Sequence, residues 1–485
     1  MRRKNEEIPL LEDYRSIPSQ QFWDKFPHSP LPIGISTRVN VRVLKQKVAA
    51  MTGKWTRHQF VRAHRTIKDL EEGASAFQLL PPLPPMIAPN ADSAYQHGAM
   101  ITDGIASWVK EGILAGPFSS PPVARFRANS IMAVAQKNKV RLVLDMSRPE
   151  GRSFNSNTDP LRLDRVTMST AKQFSYAVKE AGPGAIMNKD DTESAYKLVP
   201  VKQEDWRLQG IRWLGQYFLE PKLIFGSAAS VPNYDALSRT VSDLAVATSQ
   251  VPSRCIFRTL DDEVSVAPAS TSWARDFSQT YKSLCKELNI PLAPACPQKE
   301  KAFTEETAGR VLGVWFDSSN SSWSYPTDKL VPVVRNIMDT IKKGNCNLHQ
   351  MQVIMGNIND VAQLCPFLKG FRKPANDFLA SLEESQVTAP IPDQVITDLT
   401  ICVRILLAAG QGLPIATRPS APPLNSLLFT SDAAGAVTTR VRGRQVPQPV
   451  QGIRGAASVA LDSDGMPTFV SRVQWPPQLL VTAID

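Results

Sequence analysis

The chain has 485 residues, and 55 Lys and Arg against 45 Asp and Glu give it a formal charge of +10. At 42% hydrophobic and 21% charged residues it is too apolar for wholesale disorder, and its length suggests about three domains. The opening MRRKNEEIPLL lacks the apolar stretch of a secretory signal, and no run approaches the ~18 apolar residues of a membrane span. The sequence therefore predicts an intracellular chain, nuclear or cytoplasmic, with no transmembrane segment. The positive excess favours a polyanionic partner such as nucleic acid. Six cysteines without a CxxC pair and five dispersed histidines offer no closely spaced zinc ligands.

Residues 1–84 read as a basic N-terminal extension, partly disordered. Between Arg38 and Lys68 stand nine Lys and Arg and no acid, with Trp55 and Phe60 interleaved. That pattern suits an arm on phosphates or a solvated helix face. LLPPLPPMIAP (79–89) reads as a stiff linker and a domain boundary. VRLVLDM (140–146) suits a buried strand, and PGAIMNKDD (183–191) a strand leading to two carboxylates. DALSRTVSDLAVAT (235–248) places Leu237, Val241, Leu244 and Ala245 at helical spacing. RCIFRTLDDEVSVAP (254–268) reads as strand, turn, strand, and WARDFSQTYKSLCKELN (273–289) as an amphipathic helix ended by Asn289 and Pro291. GRVLGVWFDSSNSSWSYP (309–326) reads as a hairpin turning at its Ser-Ser-Asn-Ser.

This order predicts an α+β sheet covered on one face by two helices. Residues 331–417 then become helical, continuing a stripe of Leu330, Val333, Val334, Ile337, Met338 and Ile341. A second proline-rich hinge, RPSAPPL (418–424), leads to a block over 425–485 that starts like another α/β domain.

Two acidic doublets, Asp190-Asp191 and Asp261-Asp262, each adjoin an apolar strand. Carboxylates ~4 Å apart repel by roughly 4 kcal/mol at an effective dielectric of 20. They invite a shared proton or a hard cation, and magnesium held by carboxylate oxygens also bridges phosphates.

Taken in order, these segments resemble the motifs of a reverse transcriptase, especially those of DIRS-type retrotransposons. KVRLVLDMSRPEGRSFN (139–155) is similar to a fingers motif, D-x-S-x-P-x-G-x-S-x-N after a basic strand. KDDTESAYKLVPV (189–201) resembles the first palm motif, LIFGSAASVPNYD (223–235) the second, and LDDEVSVAP (260–268) the paired-aspartate hairpin. KAF (301–303) and VLGVWFDS (311–318) resemble the following lysine and primer-side hairpin, and MQVIMGNINDVAQLCPFLKGF (351–371) the thumb.

The resemblance implies a right-hand polymerase over 85–330, with fingers and a ferredoxin-like palm, followed by a helical thumb or connection over 331–417. It implies an RNA-directed DNA polymerase that adds deoxynucleoside triphosphates to a primer on an RNA or DNA template. Asp191, Asp261 and Asp262 would hold two Mg2+ (or Mn2+) ions, and Tyr196 would exclude a 2′-hydroxyl. Lys139 and Arg141 would grip the triphosphate, Gly226 would let the backbone approach template or nucleotide, and Lys301 would neutralise the pyrophosphate. No membrane partner is expected, and integration would need a separate integrase or recombinase.

Some residues depart from the pattern. Thr259 stands where an aromatic residue usually precedes the paired aspartates, and Glu263 follows where a hydrophobe is common, adding charge beside the metals. LLFTSDAAGA (427–436) resembles the first strand of a ribonuclease H domain, with Asp432 its would-be ligand. GAASVAL (455–461) and PTFVSRVQW (467–475) would be its next strands. The later helix carrying a partner glutamate is missing before Asp485, so a partial, incompetent ribonuclease H-like segment is expected. The alternatives are a catalytically degenerate or domesticated binder of nucleic acid, and an RNA-templated RNA polymerase, against which Tyr196 speaks.

Overall fold

The computed structural model describes residues 14–415, apart from 80, 137–138, 296–297, 299–300 and 383–387. It also describes the backbone of five strands between 428 and 474. The chain divides into two compact units, residues 1–326 with 412–415, and residues 327–411 with 416–485.

In the first unit, helices α1 (Val41–Ala49) and α2 (Arg57–Glu72) come before the proline stretch. Thr56 and Gln59 cap α2 reciprocally, each satisfying an otherwise orphaned backbone donor. Leu44, Val48, Ala63, Ile67 and Leu70 line one side of the pair and are buried. They share a core with Leu237, Val241, Leu244, Phe277 and Tyr281, far along the chain. The expected boundary at 79–89 is therefore absent: α1 and α2 belong to the same unit as the sheet. The basic stretch is not a free arm either. Lys45, Lys47, Arg62, Arg65 and Lys68 pair with Glu71, Glu287, Asp243, Asp164 and Glu72.

Helix α3 (Gly98–Lys110) is followed by strands β1 (Ala115–Phe118), β2 (Arg127–Gln136) and β3 (Lys139–Asp145). Helix α4 (Ala171–Ala181) leads into β4 (Ile186–Asp191), then the hairpin β5 (Gly210–Trp213) and β6 (Gln216–Leu219). A sheet in the order Met86–Ile87, β2, β5, β6, β1, with β3 pairing β2, forms one layer. Its core holds Ile101, Ile105, Ile131, Ile211, Trp213 and Phe218. The strand expected at 140–146 is the outer arm of the β2–β3 pair; Leu144 and Met146 are buried as expected, while Leu142 and Val143 are half-buried.

Helix α5 (Ser230–Ser249) precedes strands β7 (Ile256–Thr259) and β8 (Asp262–Ala267), helix α6 (Trp273–Glu287) and strand β9 (Phe303–Glu306). A second sheet runs in the order β9, β4, β8, β7. Strands β10 (Ala308–Val311), β11 (Val314–Asp317) and β12 (Ser322–Ser324) form a meander, to which Leu413–Pro414 adds a fourth strand. A turn at Leu312-Gly313, with φ of 51° and 78°, comes before the expected serine-rich one, so the segment makes three strands rather than a single hairpin.

In the second unit, helices α7 (Thr327–Lys343), α8 (Leu348–Val361), α9 (Lys373–Ser381) and α10 (Asp393–Gln411) follow. Asn347 and Gln350 form the capping box that starts α8. From the expected ribonuclease H-like block, β13 (Leu428–Ala434), β14 (Thr438–Val441), β15 (Arg444–Pro447), β16 (Gly455–Leu461) and β17 (Pro467–Gln474) are described. β13, β16 and β17 form an antiparallel sheet in that order. Among the described residues, no helix is long and apolar enough to cross a membrane.

Candidate functional site

Strands β4 and β8 lie antiparallel in a register that sets Asp191 opposite Asp262, Asp190 opposite Glu263 and Lys189 opposite Val264. Because side chains alternate along a strand, this register sorts the acids onto two faces. Met187, Lys189 and Asp191 share one face with Val266, Val264 and Asp262. Asn188, Asp190, Ser265 and Glu263 share the other.

The second of these faces is covered by α5 and α6, which supply partners to its polar groups, although one Glu263 carboxylate oxygen is buried there with no hydrogen-bond partner among the described residues. Ser278 Oγ donates to Asp190 at 3.1 Å, Asn188 donates to the Ala274 carbonyl at 2.8 Å, and Ser242 donates to Glu263 at 2.7 Å. Burial raises the Asp190 carboxyl above its ordinary range, and pushes that of Glu263 up to about 8. Glu263 was expected to add charge beside the metals. The alternation of β8 turns it onto the opposite face, so that expectation is corrected.

The first face carries the candidate site. β7 and β8 are joined by the two-residue turn Leu260-Asp261, with Leu260 at φ 52°, so Asp261 sits at the tip beside Asp262. The Thr192 backbone N–H donates to the Asp261 carbonyl at 2.9 Å, pinning the turn to the end of β4. Asp191 is raised first by burial and then by the neighbouring Asp261 charge, while Lys301 and Lys189 oppose the shift. Lys301 itself is exposed. Asp262 is pushed up to about 6 by burial, against the pull of Lys189. Lys189 is 6% exposed and its Nζ lies 3.1 Å from the Asp262 carboxylate.

A cation was expected to be caged by all three aspartates. Among the described residues, no three His, Cys, Asp or Glu side chains are grouped closely enough to hold a metal ion alone. Magnesium usually takes only one or two protein carboxylates and completes its shell with water and substrate phosphates. Asp191 and Asp261 fit that donor set: they are hard oxygens whose mutual repulsion a cation would relieve. Asp262 is already engaged by Lys189.

Tyr196 lies in the 3-10 turn Ala195–Leu198, 8% exposed, with its ring 4.7 Å from Phe225 and 5.7 Å from Tyr234. Burial, then Asp261, raises its phenol. Phe225, by contrast, is 55% exposed. Gly226 has φ 93°, and an added Cβ would stand 2.5 Å from the Leu144 carbonyl oxygen. The close approach expected toward template or nucleotide is thus made to β3 of the chain itself. Asn155 clamps the same turn, donating to the Gly226 carbonyl and accepting from the Ala228 N–H, each at 2.8 Å. Thr259, in the expected aromatic position, donates to the Ser169 carbonyl at 3.2 Å.

Lys139 and Arg141 lie on β3 and Asp432 on β13, but their side chains fall outside the described residues. Sequence reasoning missed Lys189, Phe225 and Asn155 as site components. Lys189 had a usable signal, since it stands two residues before Asp191 and so on the same strand face, and Asn155 is the last fixed residue of the fingers motif quoted above.

No protein-family model matches the chain, and no curated protein matches it. The fold is similar to the foamy viral protease-reverse transcriptase dRH solved with ds DNA, at TM-score 0.52 and 12% identity over 94% of this chain and 71% of that one. It is also similar to the foamy viral protease-reverse transcriptase solved with RNA/DNA hybrid, at TM-score 0.51 and 12% identity over 94% of this chain. The chain spans 55% of the length of that second protein. These likenesses define a reverse transcriptase-like fold.

Proposed function

We propose that the chain is a nucleic-acid polymerase that extends a primer with deoxynucleotides on an RNA or DNA template. The observation that supports this reading is the register that sets Asp191 opposite Asp262, with Asp261 in the adjoining turn, at one end of a sheet in a reverse transcriptase-like fold. Asp191 and Asp261 would hold magnesium, with triphosphate oxygens completing the shell and Asp262 joining when released by Lys189. The metal, when bound, supplies charge neutralisation and a lowered pKa at the primer hydroxyl. The chain's own residues position the reactants. Tyr196 closes the space beside the sugar, and Lys301 stands near Asp191 with a charge suited to the pyrophosphate. The foamy viral neighbours were solved with duplex DNA and RNA/DNA hybrid, which supports the same class of partner for this chain.

A second reading, binding of nucleic acid without catalysis, is favoured by one observation, the Lys189–Asp262 ion pair. Primer extension on an RNA template and on its DNA counterpart separates the two. Incorporation that requires magnesium and stops on chelation is expected. Template binding with no incorporation under any divalent cation leaves only the binder.

A further inference from the structure

Lys197 and Glu220 are enclosed charges, 4% and 1% exposed, that no step of the proposed reaction uses. Lys197 directly follows Tyr196 in the 3-10 turn. Glu220 follows β6 and opens the segment that runs on to Phe225 and Gly226. The Lys197 ammonium donates to the Glu220 carboxylate, and to the Leu223 carbonyl at 3.3 Å. It also lies 5.5 Å from the Trp108 ring centre and 5.8 Å from that of Phe225. Three of these four partners lie within residues 220–225.

Stability alone does not call for such a pair, because well-packed apolar residues often replace a buried ion pair without loss. Apolar packing does not supply the direction and reach of a charge-assisted hydrogen bond. Here that bond spans the two segments that carry the neighbouring rings of Tyr196 and Phe225.

We propose that the Lys197–Glu220 pair is a positioning device, holding Tyr196 and Phe225 in fixed register as one platform for the sugar of an incoming nucleotide. The proposal rests on the reading of Tyr196 given above, and it makes Lys197 a positioning residue rather than a catalytic one.

The test uses the full chain with Lys197→Met, Glu220→Met and the double variant. Each single variant leaves an unpaired buried charge and is expected to lower the thermal midpoint, while the double variant regains most of the loss. At that regained midpoint, backbone hydrogen exchange over 194–200 and 220–227 is expected to rise together by about tenfold. The ratio of kcat/KM for deoxy- over ribonucleotides is expected to fall by about tenfold. Where the double variant does not fold, Glu220→Gln, which keeps the shape, reads the same two quantities. Wild-type exchange in both segments would overturn the proposal, as would raised exchange with an unchanged sugar ratio. If the wild-type chain incorporates neither sugar, the polymerase reading fails, and exchange alone still decides whether the pair couples the two segments.

Discussion

Glu263 offers a test of the face assignment that does not depend on catalysis. It is 2% exposed beneath α5, opposite Asp190, with Ser242 as its hydrogen-bond donor. Burial lifts its carboxyl from an ordinary 4.5 to about 8. The folded state thus holds a proton that the unfolded chain has released. The stability this confers is fully present below about pH 4.5 and is lost as pH rises through about 8. At about 1.4 kcal/mol per tenfold, the loss across that window is on the order of 5 kcal/mol. Glu263→Gln cannot ionise and keeps an acceptor for Ser242. Its advantage over wild type should be near zero at pH 4.5, about 3 kcal/mol at pH 7 and greatest above pH 8. Urea denaturation of both proteins at several pH values measures this difference directly. A difference that stays flat across the range refutes the burial of Glu263 on the helix face.

Two further outcomes follow from the same geometry. Gly226→Ala meets the Leu144 carbonyl in a left-handed backbone conformation and should cost about 1–3 kcal/mol, read as a lowered thermal midpoint. Tyr196→Ala should raise ribonucleotide incorporation by tenfold or more, on the order of 1.4 kcal/mol, in a primer-extension assay with each sugar. Unchanged sugar preference would remove Tyr196 from that role.

The parts of the fold that were legible in the sequence are those where one local period decides the outcome. Leu237, Val241, Leu244 and Ala245 at helical spacing are all buried on α5, and the 273–289 helix ends within two residues of its expected limit. The β7–β8 hairpin was legible because a two-residue turn leaves its strands no other register. The role of α1 and α2 was not legible, because their cations dominate the composition while their narrow apolar stripes are completed by residues far along the chain, among them Phe126, Leu198, Leu237 and Phe277. The same limit hid the split among the acids. Adjacent aspartates look equivalent in a string, yet alternation gives Asp190 to Ser278 and turns Asp191 to the other face, beside Asp261. The hold of Lys189 on Asp262, and the exposure of Phe225, depend on partners that no local pattern encodes.

The most direct measurement compares primer extension with magnesium by the wild-type chain, Asp191→Asn, Asp261→Asn and Asp190→Asn. The geometry predicts that the first two variants lose incorporation by about a hundredfold or more, while Asp190→Asn, on the helix-covered face, retains it. Equal activity in Asp191→Asn, Asp261→Asn and wild type would contradict the assignment of these carboxylates to nucleotidyl transfer.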